Sequence, residues 1–159
     1  MLKGGALIYA FSGLEARPTL DIDFLGKDIS REIERLTNVF TQICRIENHE
    51  DGVLFDAESI SAEELMVNKE YNGVRLKIGA KLDTIRETLS MDIGFGDVVY
   101  GGAINVDYPT LLGENGIDIM AYSKESVIAE KFEAMISLGI LNSRMKDFYD
   151  VYRLLKSGA

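Results

Sequence analysis

The chain has 159 residues, 47% hydrophobic and 27% charged, enough for one folded domain with a real core. A net charge of −9 argues against a general electrostatic footprint for nucleic acid, and a single cysteine and a single histidine exclude an intrachain disulfide and a histidine-based metal cluster. The charge is uneven: residues 124–159 hold six Lys/Arg against five Asp/Glu, leaving about −10 on the first 123, so a polyanion has to approach the C-terminal part or a metal-masked cleft.

Leu2-Lys3 is a short apolar lead into Gly4-Gly5, and residues 6–11 are predicted to be helical, closed by Ser12-Gly13. A glycine pair at that point is either a tight turn or a place where backbone N–H groups at a helix N-terminus approach an anion closely. No apolar run approaches the length of a membrane span and no signal peptide is read before Gly4, so the expected setting is cytoplasmic and reducing, away from membrane.

Residues 17–24 read as a strand. Side chains alternate between faces, so Leu20, Ile22 and Phe24 are expected on a core and Asp21 and Asp23 together on the other side. Two neighbouring carboxylates repel, and either a cation lies between them or the strand simply has an acidic solvent face. A hard oxygen site with open positions suits Mg²⁺ carried on nucleotide phosphates.

Residues 28–46 carry Ile29, Ile33, Leu36, Phe40 and Ile43 at steps of four and three, an amphipathic helix with Asp28 or Ser30 as its cap and Cys44 near its end. A polar turn with His49 follows over 48–52, then a strand at 53–59 and a mixed stretch at 61–70. Asn72-Gly73 reads as a turn before the alternating Val74, Leu76, Ile78 and Ala80. After a polar turn at 83–87, residues 88–94 form a strand with Leu89, Met91 and Ile93 on one face and Asp92 on the other, leading into a glycine-containing loop through Tyr108-Pro109-Thr110.

Ser123 caps a helix running to about 138, with Gly139 as its stop. At about 100° per residue from Val127, Lys131 falls near 40°, inside an arc with Ile128, Phe132, Met135 and Leu138. It is either a lysine whose stem packs while its head reaches water, or a cation aimed at a site. In the last helix, 143–155, periodicity buries Met145, Phe148, Tyr149, Tyr152 and Leu155 and leaves Lys146, Asp147 and Asp150 on another side, where Lys146 and Asp150 suit a surface pair.

Five stretches in order carry a resemblance: Leu2-Lys3-Gly4-Gly5-Ala6-Leu7, Arg17-Pro18-Thr19-Leu20-Asp21-Ile22-Asp23-Phe24, Met91-Asp92-Ile93-Gly94, Ala129-Glu130-Lys131 and Arg144-Met145-Lys146-Asp147-Phe148-Tyr149-Asp150. Together they resemble the nucleotidyl transferase AbiEii/AbiGii toxin family of type IV toxin–antitoxin systems, within the polymerase-β-type nucleotidyltransferase superfamily. The resemblance implies an α+β, nucleotidyltransferase-like fold: a small mixed sheet carrying the acids, packed helices and two C-terminal helices, in a single domain over 1–159 with a catalytic sheet region to about 120 and a helical part from about 121.

It also implies a metal-dependent enzyme that moves a nucleotide from GTP or another NTP to RNA, with tRNA the expected acceptor and a cognate antitoxin as partner. Asp21, Asp23 and Asp92 then hold Mg²⁺ or Mn²⁺, Asp92 either completing the metal site or activating the attacking hydroxyl. Gly4 and Gly5 form the phosphate loop, Lys3 is a further nucleotide-binding residue, Arg17 contacts a phosphate, and Lys131, Lys146, Asp147 and Asp150 lie near the nucleotide, with Lys131 and Asp150 counted among the catalytic groups. The competing readings are a catalytically idle nucleotide- or RNA-binding module and transfer to a protein or small molecule.

Overall fold

The computed structural model describes residues 1–46, 48, 51–67, 70–110 and 116–156. His49 and part of its turn lie outside the described residues. The chain divides into two compact units, Met1–Thr19 with Val98–Ala159, and Leu20–Asp97. Seven strands and four α-helices are found among the described residues.

The second unit is a sheet covered by one helix. Its strands are β2 (Asp21–Gly26), β3 (Val53–Val67), β4 (Glu70–Leu82) and β5 (Ile85–Phe95), in the order β3-β4-β5-β2. β3, β4 and β5 run antiparallel in sequence, and β2 lies parallel to β5. The helix α2 (Ile33–Cys44) joins β2 to β3 and packs on β3. Period-two alternation puts Val74, Leu76, Ile78, Met91 and Ile93 in one buried cluster with Leu36 of α2, with Ile22 and Phe24 packed against it. Each such side chain contributes about 1.5–3 kcal/mol by leaving water.

Several sequence expectations are corrected in this unit. The strand begins at Asp21, not Arg17, and Leu20 is 93% exposed. Pro18 fixes its own φ and lacks an N–H for a ladder, so the pairing starts beyond it. The helix begins at Ile33, because Asp28 sits at φ 56°, a left-handed conformation no helix continues through. Ser30 Oγ accepts from the Glu32 N–H before the helix starts, Ile29 lies outside it and Ile43 is half exposed.

β3 continues through the stretch read as mixed, with a shift of register between Asp56 and Ser61. Asn72-Gly73 is inside β4, not a turn. The register slips beside it, and a Cβ on Gly73 would come within 2.3 Å of the Ile93 carbonyl oxygen. The glycine therefore marks an irregular, closely approached strand position, which a local turn signal cannot be told from.

The first unit holds β1 (Leu2–Lys3), α1 (Gly4–Ser12), β6 (Ile104–Tyr108), β7 (Ile117–Ala121), α3 (Lys124–Leu138) and α4 (Met145–Lys156). β1 is parallel to β7, and β7 is antiparallel to β6. β6 arises where the sequence was read as loop, and β7 in a stretch where no element was expected; each is only five residues and weakly buried, so the pattern is faint. α1 packs on β1, β6 and α4, and α4 packs on α3. The α3 limits follow the capping residues: Ser123 Oγ accepts from the Ser126 N–H, and Gly139 ends the helix at φ 53°.

α4 reverses the expectation for its faces. Met145, Phe148, Tyr149, Tyr152 and Leu155 are exposed by 45% to 71%, and the buried side is Asp147, Asp150, Val151 and Leu154. On α3 likewise, Val127 and Lys131 are buried while Phe132 and Leu138 are exposed. Apolar periodicity cannot register an acidic face that is buried because cations from elsewhere in the chain neutralise it.

Candidate active site

In the second unit, strand register assembles an acidic row. Asp23 on β2 is paired with Asp92 on β5, and Asp92 with Arg75 on β4, so the three stand side by side across three strands. Asp21, two residues from Asp23, shares that face. It is the face opposite the apolar cluster, since Ile22, Val74, Leu76, Met91 and Ile93 alternate with these residues.

Arg75 grips Asp92 with two bonds. Its Nε donates to Oδ1 and its Nη2 to Oδ2, both at 2.7 Å. This is the fork geometry in which a guanidinium recognises a carboxylate best. The bond to Asp92 pushes the Arg75 pKa further up; burial, next in size, opposes it, and the charges of Asp92, Asp21 and Glu63 add to the rise.

Hard carboxylate oxygens on Asp21 and Asp23 have the chemistry a divalent metal needs, and a nucleotide's phosphates suit the remaining positions. Asp92 carries the same chemistry, but both of its oxygens are engaged by Arg75. Among the described residues no group of three His, Cys, Asp or Glu side chains is placed to hold a metal ion together.

In the first unit the glycine pair opens α1. Gly4 has φ 65°, which favours glycine, and Gly5 is buried against Thr19 and Arg17. A Cβ on Gly5 would meet Thr19 Cβ and Oγ1 at 3.1 Å and Arg17 Nη2 at 3.2 Å. A hydroxyl and a guanidinium are thus brought against the first turn of a helix, where backbone N–H groups lack intrahelical partners.

Arg17 is fixed from behind. Its Nε donates to Asp150 Oδ1 at 3.0 Å and its Nη2 to Oδ2 at 3.0 Å. Lys131 Nζ donates to Asp150 Oδ2 at 2.8 Å and to Asp147 Oδ1 at 3.0 Å. Arg144 Nε lies 2.8 Å from Asp147 Oδ2 as an ion pair, without hydrogen-bond alignment. Asp147 and Asp150 are 0% and 1% exposed and Lys131 8%. Charges that far from water persist only when paired, and three cations to two carboxylates leave this cluster at a formal +1. An ammonium has three donors, and these carboxylates engage two of those on Lys131.

The structure thus joins Gly5, Arg17, Lys131, Asp147 and Asp150 in one cluster. It does not bring Lys146 into that cluster: the side chain is exposed, and the surface pair with Asp150 is replaced by Asp150's contacts to Arg17 and Lys131. Lys3 is held by Glu130, at 2.5 Å, and lies 5.6 Å from the centre of the Tyr122 ring. Cys44 is a free thiol at the end of α2, and burial pushes its pKa up, which makes it a poor nucleophile.

Three residues in these arrangements had been given no role from sequence. Arg75 sits on the polar face of an alternating strand, but its pairing with Asp92 needs the register. Thr19 and Arg144 lie within the quoted stretches, and nothing local marks what they touch.

The model of the nucleotidyl transferase AbiEii toxin family, a type IV toxin–antitoxin system, matches residues 1–159. Among solved structures, JHP933 from Helicobacter pylori is 18% identical with a TM-score of 0.63, over 98% of this chain and 57% of that one. An antigenic nucleotidyltransferase-like protein from Paracoccidioides brasiliensis is 15% identical with a TM-score of 0.56, over 98% of this chain and 66% of that one. ANT(2")-Ia in complex with adenylyl-2"-tobramycin is 17% identical with a TM-score of 0.53, over 99% and 78%. No curated protein gives a match. At these identities the structural likeness establishes the fold, an α+β nucleotidyltransferase-like one. The chain spans less than two thirds of the length of the first two structures.

Proposed function

The chain belongs to the nucleotidyl transferase AbiEii toxin family, and from that premise we propose that it transfers a nucleotide from an NTP to an RNA hydroxyl, with tRNA as the acceptor, as the toxin of a type IV toxin–antitoxin system. The observation that carries this reading is the buried Asp150, which fixes Arg17 against Gly5 at the start of α1. A fixed guanidinium, a helix N-terminus and a net positive cluster suit a triphosphate.

In this reading Asp21 and Asp23 hold Mg²⁺ or Mn²⁺, with Asp92 as the third acid of the row. The metal, when bound, supplies charge neutralisation at the phosphates. The hydroxyl oxygen bonds to the α-phosphorus, the bond from that phosphorus to the pyrophosphate oxygen breaks, and pyrophosphate leaves with the electron pair. The hydroxyl proton passes to a carboxylate of the row. Arg17 and the remaining Lys131 donor orient the phosphates, with the Gly4-Gly5 turn beneath, and the exposed Lys146 and the half-buried Lys3, held by Glu130, stand as nucleotide contacts. Asp147 and Asp150 are positioning residues that hold Lys131 and Arg17.

A second reading, a binding module without transfer, is favoured by one observation: Arg75 already engages both oxygens of Asp92. Transfer to a small molecule draws on the ANT(2")-Ia structure, which contains adenylyl-2"-tobramycin. One experiment separates the readings. Purified protein is incubated with each α-labelled NTP and total RNA, with and without Mg²⁺. Metal-dependent label on RNA of tRNA size is the expected result; NTP binding without label on any RNA would overturn the proposal in favour of the module.

A further inference from the structure

We propose that Thr19 is a phosphate ligand: its hydroxyl, together with the Arg17 guanidinium, holds one phosphate group of a polyphosphate against Gly5. The inference rests on the nucleotide reading of the Arg17 cluster given above and deepens it by naming a neutral donor at that site.

The first turn of α1, Gly4-Gly5-Ala6-Leu7, carries no side-chain donor, and Lys3 before it makes no side-chain cap. Polar side chains have to come from elsewhere, and residues 17–19 supply two. Pro18 restricts Arg17 to extended backbone, and side chains two apart on extended backbone face the same way. Arg17 and Thr19 accordingly both reach Gly5, while Pro18 and Leu20 are exposed. Thr19 Oγ1 and Arg17 Nη2 lie 3.1 and 3.2 Å from the one point that a Gly5 Cβ would take. Two donors that close together reach separate oxygens of a single phosphate, each bond spanning about 2.8 Å. Without a Cβ, Gly5 leaves its own backbone open to the same group.

The two donors are prepared differently. Asp150 takes Nε and one N–H of Nη2, which fixes the guanidinium plane; an η nitrogen carries two N–H groups, so Nη2 retains one for a ligand. Thr19 makes a contact of its own in the structure. A hydroxyl has one donor and two acceptor sites and rotates about its C–O bond, so it can turn its proton to a phosphate oxygen when one arrives. Branching at Cβ keeps the rest of the side chain stiff, so the oxygen stays beside Gly5. The Arg17 side chain is 23% exposed and Thr19 is half-buried, so a ligand reaches both.

The test is calorimetric titration of inorganic tripolyphosphate into the full chain in metal-free buffer, which involves neither a base nor the acid row, with urea midpoints read by circular dichroism. Wild type is expected to bind one tripolyphosphate, and Gly5→Val to weaken it, which puts the ligand at this turn. Thr19→Val keeps the shape and removes the hydroxyl, so binding should weaken about tenfold or more, as for a lost hydrogen bond to a charged group, at an unchanged urea midpoint. Thr19→Ser restores the hydroxyl and should bind within about threefold of wild type. Wild-type binding that weakens in Gly5→Val but stays within twofold in Thr19→Val would overturn the role of Thr19 and leave the nucleotide reading intact. A lowered midpoint in Thr19→Val would make the hydroxyl a cap of the α1 N–H groups and overturn the assignment whatever the affinity. No binding by wild type, or binding indifferent to both Gly5→Val and Thr19→Val, would overturn both. Should Gly5→Val fail to fold, the contrast between Thr19→Val and Thr19→Ser decides by itself.

Discussion

Replacing Asp150 by Asn removes one charge from the centre of the buried cluster and changes little in size. On an exposed helix surface such a change is worth a few tenths of a kcal/mol. Here the carboxylate is 1% exposed and accepts from Arg17 at two atoms and from Lys131 at a third. An amide keeps one acceptor oxygen and turns an NH₂ donor toward a cation, so at least one charged bond is lost and one becomes repulsive. Breaking a buried ion pair from one side costs about 3–5 kcal/mol. Arg17 is 23% exposed and can recover some hydration, and Lys131 keeps Asp147, so the low end applies, about 3 kcal/mol. For a chain of this size that is a fall in Tm of about 6–12 °C. Urea unfolding followed by circular dichroism measures it directly. A loss below about 1 kcal/mol, the value for a solvent-exposed pair, would refute the buried-network account.

Other expected outcomes follow from single contacts. Lys131→Met leaves two buried carboxylates without their shared ammonium and should destabilise by about 3–5 kcal/mol in the same denaturation assay, whereas Lys146→Ala, at an exposed site, should stay within about 0.5 kcal/mol. Gly73→Ala puts a methyl 2.3 Å from a backbone oxygen and should cost about 1–3 kcal/mol; an unchanged midpoint would show the strand relaxes freely. Gly5→Val pushes a branched side chain into Thr19 and Arg17 and should weaken NTP binding at least tenfold by calorimetry, while a retained affinity would remove Gly5 from the phosphate loop. Because burial raises the Cys44 pKa, iodoacetamide at pH 8 should label the native thiol more slowly than the urea-unfolded one; equal rates would contradict that.

Much of the sheet unit was legible in the sequence. Val74, Leu76 and Ile78, then Met91 and Ile93, alternate as a one-sided core requires, and Asp21, Asp23 and Asp92 fall on the other face for the same reason. Ser123 and Gly139 gave the ends of α3 through local chemistry. What local pattern could not give is long-range pairing. Asp150 meets Arg17 across 133 positions and Lys131 across 19, and these contacts, with those of Lys131 and Arg144 to Asp147, make the acidic side of α4 its buried side. Arg75 is one polar residue among several on its strand until the register sets it beside Asp92. Gly73 shows the opposite failure: a strong turn dipeptide placed in a strand because another backbone passes too close for a side chain.

The central claim is metal-dependent nucleotidyl transfer to RNA, and the most direct measurement is to map where the label goes. RNA incubated with the protein, Mg²⁺ and α-labelled NTP is digested to nucleosides and nucleotides, and the labelled species is identified beside a reaction run with Asp23→Asn. The expected result is label confined to the 3′-terminal position and reduced by 10²-fold or more in Asp23→Asn, about 2.7 kcal/mol of barrier. Label absent from RNA with every NTP, or undiminished in Asp23→Asn, would contradict the account.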